Sequence, residues 1–196
     1  MKKILLAFAT LVLAAPNYAQ DLTAVSPEGV EISFRIVSEY EKTCATMEEG
    51  CIDPATVGKV TIPDVVDGYT VIFIDYASFE DCASVTEVVV PPTIKCIDER
   101  AFYNCGLEVF TMLCTDKSNE DHVCEIIRSA FRGCDNLRSV TLADHVRYIE
   151  DYSFSSSNLE EVYSYIEEPF ELADNSFNMS NPNLRELGDR KSTRLN

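Results

Sequence analysis

Histidine is scarce: only His122 and His145 occur in 196 residues. Imidazole acid–base chemistry therefore has two candidates at most. Glycine is also sparse, with seven residues, and nowhere forms a phosphate-cradling loop or a nucleophile elbow. No CxxC pair exists, which removes the usual zinc-finger and dithiol signatures. Basic residues number 16 against 33 acidic ones, for a formal charge of −17. Such a surface repels phosphate backbones and anionic headgroups, so nucleic acid is excluded as an expected partner. Carboxylate pairs abound, but in so acidic a chain they carry no catalytic signal. An enzyme is not expected, and no cofactor is implied.

Long apolar runs are missing too, apart from Ile4 to Ala15. Lys2 and Lys3 precede that run, and Pro16-Asn17-Tyr18-Ala19 offers small residues before a cut at Gln20. This is the plan of a secretory signal over residues 1–19, too short to span a bilayer comfortably. The expected protein is exported (secreted, periplasmic or cell-surface), with no membrane insertion after cleavage. Residues 189–196 break abruptly from the acidic pattern and read as a non-native tail.

What is present is a repeat. Phe79, Phe102, Phe131, Phe154 and Phe177 are separated by 23, 29, 23 and 23 residues. A polar stretch around Cys114 to Asp121 accounts for the long step. Five residues before each Phe stand Ile74, Ile97, Ile126, Ile149 and Leu172; three before those stand Val71, Ile94, Val123, Val146 and Pro169. Ser78, Ala101, Ala130, Ser153 and Ser176 immediately precede the rings, and Cys82, Cys105, Cys134, Ser157 and Ser180 follow by three. Each unit then enters a strand-like stretch: Val85, Val88, Val90; Leu107, Phe110, Met112; Leu137, Val140, Leu142; Leu159, Val162 with Ser164. An earlier copy reads Val57, Val60, Ile62. β-Branched residues crowd these columns and 3.6-residue periodicity is weak, so helices are not expected.

One such unit cannot bury its apolar face alone, whereas stacked units merge theirs into a continuous core. The expected fold is mostly β: a right-handed solenoid of about five rungs over residues 57–188, with a parallel strand sheet and the five rings inside. Residues 20–56 precede the first rung. Val30 to Val37 alternates at period two, Thr43 to Glu48 is a candidate hairpin partner, and the whole reads as an N-terminal β cap.

The run Ser78-Phe79-Glu80-Asp81-Cys82-Ala83-Ser84-Val85-Thr86-Glu87-Val88-Val89-Val90-Pro91, echoed from Ala130 to Leu137, resembles the BspA-like class of leucine-rich repeats. The resemblance covers residues 57–187 and departs at Ser157, at Ser180 and in the long third unit. It implies the solenoid fold firmly and activity loosely: members are bacterial surface or secreted proteins, some resembling adhesins.

Among the eight cysteines, Cys82, Cys105 and Cys134 occupy one column. Equivalent side chains point the same way and three cannot pair off, so buried free thiols are expected. Cys44 and Cys51 flank a polar loop of the cap, and Cys114 and Cys124 bracket the insertion; each is a candidate disulfide, with free thiols as the alternative. Cys96 has no evident partner. Zinc at Cys114, Asp116, His122 and Cys124 is disfavoured by the tight His122-Val123-Cys124 spacing. His145 falls at a connector position equivalent to Thr93, where a solvated histidine is expected.

Alternation along the strands turns two columns outward. One reads Thr61, Val89, Thr111, Thr141, Tyr163; the other reads Lys59, Glu87, Val109, Ser139, Glu161. This hydroxyl-rich strip, with a tyrosine anchor and an acidic edge, is the candidate site for a protein or peptide ligand. The alternative function is structural, a ligand-free fragment of a longer cell-surface stalk.

Overall fold

A computed structural model describes residues 21–114, 123–155, 157–166, 170, 172–173 and 175–177. Thirteen strands and no helix occur among the described residues. Strands β1 (Leu22–Val25) and β2 (Glu31–Ser38) pair antiparallel, and β2 pairs antiparallel with β3 (Thr43–Thr46). From β3 onward this first sheet turns parallel, running through β6 (Tyr69–Ile74), β8 (Cys96–Ile97), β10 (Cys124–Ile126) and β12 (Val146–Ile149). Strand β5 (Val65–Val66) pairs antiparallel with β6. The second sheet is wholly parallel: β4 (Gly58–Thr61), β7 (Val85–Val90), β9 (Val109–Met112), β11 (Ser139–Leu142) and β13 (Glu161–Ser164). Each coil thus contributes one strand to each sheet, and β3 joins the antiparallel N-terminal strands to the parallel ladder.

The third side of the coil is an arc around the phenylalanine. The N–H of Phe79, Phe102, Phe131 and Phe154 donates to the carbonyl of Ala101, Ala130, Ser153 and Ser176 in the next rung, at 2.7–2.8 Å. These bonds hold successive rings in register. Ring centroids from Phe79 to Phe177 lie 4.9, 5.0, 4.7 and 5.0 Å apart, with interplanar angles of 19° or less. Phe110 reaches across from the second sheet and meets Phe102 and Phe131 edge-on, at 5.4 and 4.6 Å. Burying each ring contributes roughly 1.5–3 kcal/mol, and stacking adds about 0.5–1.5 kcal/mol per pair. Phe79, Phe102, Phe131 and Phe154 are fully buried, while Phe177 is partly covered.

Residues of positive φ flank the rings. Ala77, Arg100, Ser129 and Tyr152 stand two before the Phe with φ of 51–61°, and Asp81, Asn104 and Gly133 two after it with φ of 54–81°. The left-handed region costs a non-glycine residue about 1–2 kcal/mol. The strain persists because it lets the small column turn beneath the ring. Serines in that column help: the hydroxyls of Ser78, Ser153 and Ser176 donate to the carbonyls three residues back, Asp75, Glu150 and Ala173, at 2.7–2.8 Å. Ser153 and Ser176 also lie within 3.1–3.2 Å of carbonyls in the preceding rung, Ile127 and Ile149.

Two apolar positions depart from the constant-offset alignment. Val123 is 39% exposed, whereas Cys124 is fully buried and pairs in register with Val146. Val57 is 75% exposed, and Gly58 stands opposite Val85 instead. Both sit beside register shifts, between Cys124 and Glu125 and between Gly58 and Lys59. A one-residue bulge moves a side chain to the opposite face. Leu172, aligned with the buried isoleucines, is also exposed.

Candidate ligand-binding face

The cysteines show how far the columns govern chemistry. All eight are free thiols, so neither Cys44–Cys51 nor Cys114–Cys124 is a disulfide. Cys44 stands opposite Val71, in the inward column that Cys124 joins beside Val146. The N–H of Cys51 donates to Ser78 as that of Phe79 does to Ala101, so Cys51 replaces the ring in the cap's own coil. Core packing has claimed three of the four thiols, and Cys114 is left exposed.

Cys82, Cys105 and Cys134 are buried. Cys105 Sγ donates to the Cys82 carbonyl at 3.2 Å and Cys134 Sγ to the Phe102 carbonyl at 3.0 Å, each in the preceding rung. Ser157 in the same column reaches only its own rung, donating to the Phe154 carbonyl at 2.8 Å. The shorter C–O bond accounts for that change of partner. Burial pushes the Cys44 and Cys82 thiols up to about 11 and Cys96 and Cys105 up to about 12. Protonated thiols of this kind are poor nucleophiles.

His145 is not a solvated connector residue; it is 3% exposed, its Nδ1 lies 3.3 Å from Asp144 Oδ1, and its carbonyl accepts the Cys124 N–H. The backbone bond to the neighbouring rung draws the connector inward. His122, Asp116, Pro169 and Ser180 lie outside the described residues, and no group of three metal-ligating side chains occurs among those described.

The second sheet aligns the outward columns rung by rung. Thr61 stands opposite Val89, Val89 opposite Thr111, Thr111 opposite Thr141 and Thr141 opposite Tyr163; Lys59, Glu87, Val109, Ser139 and Glu161 are paired likewise. Lys59 Nζ is 2.7 Å from Glu87 Oε1, and that carboxylate raises the lysine pKa. The Tyr163 hydroxyl donates to Glu161 at 2.9 Å, which pushes the phenol up. The central residues Val89, Thr111, Ser139 and Thr141 are half-buried, a shallow floor between exposed Tyr163 at one end and Lys59 at the other. Thr61 is engaged within the molecule, since both its N–H and its hydroxyl donate to Glu28.

Exposed Leu113 and Tyr165 extend the face. Each lies one residue past the inward end of its strand and bonds back to the preceding rung, Leu113 to Val90 and Tyr165 to Leu142. Period-two alternation stops at the strand's last inward residue, so it did not single them out. Pro91 and Ala143 in the equivalent positions are buried.

The family model for the BspA type leucine rich repeat region matches residues 55–185 in six copies. Among solved structures, the chain is similar to a leucine rich cell surface protein from Faecalibacterium prausnitzii A2-165, at 22% identity and a TM-score of 0.46. That match covers 76% of this chain and 44% of the other, so the chain spans less than half its neighbour's length. It is also similar to the leucine rich repeat protein of T. pallidum, at 16% identity and a TM-score of 0.34, over 89% of this chain and 94% of that one. No curated protein matches the chain.

Proposed function

The chain belongs to the BspA-type leucine-rich repeat family, and from that premise we propose that it is an exported, non-catalytic module that holds a protein or peptide ligand on the outward face of its second sheet. The observation that carries this reading is the unbroken parallel register from Thr61 to Tyr163, which sets hydroxyl, apolar and aromatic side chains in straight columns. An extended partner laid across the rungs meets chemically similar positions about 4.8 Å apart. Tyr163, exposed and oriented by Glu161, supplies the anchoring area that interfaces favour. The −17 charge favours basic partners.

Export rests on the reading of residues 1–19 and agrees with the cell-surface description of the Faecalibacterium neighbour. Among the described residues no helix is long and apolar enough to cross a membrane.

The test pairs Thr141→Arg with Tyr163→Ala in an immobilised chain exposed to extract from its native environment. A partner retained by the wild type should be lost from the double variant, with the melting temperature unchanged. Tyr148→Ala on the first sheet should leave capture intact. Equal capture by the double variant would clear this face of the role and turn the reading toward a ligand-free stalk.

A further inference from the structure

Strand β2 begins before its pairing with β3 and there meets the segment that leads toward β4. The Ser33 N–H donates to the Cys51 carbonyl at 2.8 Å, and the Ser33 carbonyl accepts the Met47 N–H at 2.9 Å. Past these bonds the segment turns at Asp53, whose carbonyl accepts the Thr56 N–H at 2.9 Å and whose Oδ1 accepts the Ala55 N–H at 2.8 Å. Glu28 ties the turn between β1 and β2 to Thr61 on β4. A cleft of 540 Å³ lies between these parts, lined by Val30, Glu31 and Ser33 from β2 and its approach and by Ile52, Asp53 and Val57 from the other segment. That volume is ample for one long side chain. The antiparallel register of β1, with Leu22 opposite Phe34 and Val25 opposite Glu31, carries the chain before Leu22 away from Val30 and Glu31.

We propose that this cleft seats the lysine or arginine side chain of a partner peptide, with the stem against Val30 and Val57 and the cationic head between Glu31 and Asp53. Charge supplies the first reason. The cations between residues 21 and 66 are Arg35, Lys42 and Lys59, and each is taken: Arg35 by Asp75 and Glu48, Lys42 by Glu39, Lys59 by Glu87. Among the described residues Glu31 has no side-chain hydrogen bond or ion pair, and Asp53 has only the Ala55 N–H. No basic residue lines the cleft, so a cation from outside is what its carboxylates lack. The second reason is the apolar wall. Val57 is 75% exposed and Val30 half-buried, and an aliphatic stem ending in a charge covers the one while pairing with the other. A bare divalent cation needs more oxygen ligands than two carboxylates supply and gains nothing from valines; no group of three metal-ligating side chains occurs among the described residues. The cleft shares no residue with the outward columns of the second sheet, so the inference goes beyond the face proposed above.

The experiment titrates the full chain, isotopically labelled, with a blocked glycyl-arginyl-glycine peptide and follows backbone amide shifts. The shifts should saturate and concentrate at Glu31, Ser33, Ile52 and Asp53. The citrulline counterpart, which keeps the shape and loses the charge, should leave them unmoved. Glu31→Gln and Asp53→Asn should each weaken binding about fivefold; Asn keeps an acceptor for the Ala55 N–H, so the turn survives. Val57→Ser should weaken it about threefold by removing apolar contact with the stem. Asp67→Asn, which removes a charge outside the cleft, should bind as the wild type does. The Thr141→Arg, Tyr163→Ala variant should also bind normally, whether or not the second sheet holds a ligand of its own. Shifts spread over the whole acidic surface, or equal binding of the citrulline peptide, would overturn the proposal. So would a Glu31→Gln or Val57→Ser variant that binds as tightly as the wild type.

Discussion

Gly106 shows how much one side chain can decide in this molecule. A Cβ there would lie 2.0 Å from the Ala83 carbonyl oxygen, a backbone atom that cannot step aside. Its rung spends one residue fewer between Phe102 and Leu107 than the previous rung does between Phe79 and Val85. The tighter path brings Gly106 N–H onto the Cys82 carbonyl at 3.1 Å. Gly106→Ala should therefore destabilise the fold by about 1–3 kcal/mol, the usual cost of overpacking, read as a lowered urea midpoint. The thiols make a second prediction. Native protein should expose one promptly reactive cysteine, Cys114, and denatured unreduced protein all eight; fewer on denaturation would reveal disulfides. Their titration sets the alkaline limit. The unfolded thiols ionise near 9, whereas burial holds Cys82 at about 11 and Cys105 at about 12 in the fold. Below pH 9 both states keep the proton and stability is unaffected. Above it the unfolded state loses protons first, so stability should fall steadily between about pH 9 and 12. Cys82→Ala with Cys105→Ala should flatten that slope in melting curves.

The ring ladder is the element on which the coil is wound. Phe131 stacks on Phe102 and Phe154 and receives the edge of Phe110. Phe177 has a ring neighbour on one side only among the described residues and is partly exposed. Phe131→Ala should cost about 3–5 kcal/mol and Phe177→Ala markedly less, measured as equilibrium unfolding of the two variants side by side. The sheets differ in how their ends are finished. The first sheet passes from parallel to antiparallel at β3, so β2 and β1 extend it beyond the first coil. At β4, the first strand of the second sheet, the Glu28 carboxylate instead accepts the N–H and the hydroxyl of Thr61. Near the cap, the one deeply buried carboxylate of the described residues, Asp75, pairs with Arg35 and accepts the Tyr76 N–H at 2.9 Å, while Thr46 Oγ1 accepts the Asp75 N–H. These polar bonds fasten the first rung to the cap where ring stacking has not yet begun.

At the scale of the whole molecule, a solenoid's stability is a sum over neighbouring rungs, so its ends open first. The last described rung shows the reason: Leu172 is exposed where its equivalents Ile74, Ile97, Ile126 and Ile149 are buried. Amide exchange should be slowest at Phe102 and Phe131 and should quicken by stages toward Phe154. A uniform rate across all rungs would mean that the molecule unfolds as one unit.

The interval between the phenylalanines, the small residue before each ring and the thiol or serine after it were sufficient to derive the repeat, its parallel strands and the outward columns. Those features depend on residue type at fixed spacing, which a sequence displays directly. The parallel run of the first sheet was not evident, because β8 is two residues long and carries no alternation. The left-handed turns around each ring were hidden for a different reason: they hold Ala, Arg, Ser, Tyr, Asp and Asn as well as glycine, so no residue type marks them. The shifts beside Cys124 and Gly58, the burial of His145 and the free state of Cys44, Cys51 and Cys124 were settled by hydrogen bonds between rungs. Such bonds join residues more than twenty positions apart. Periodicity along the chain records which residues want to be inside, but only the stacking of one coil on the next decides which of them arrive there.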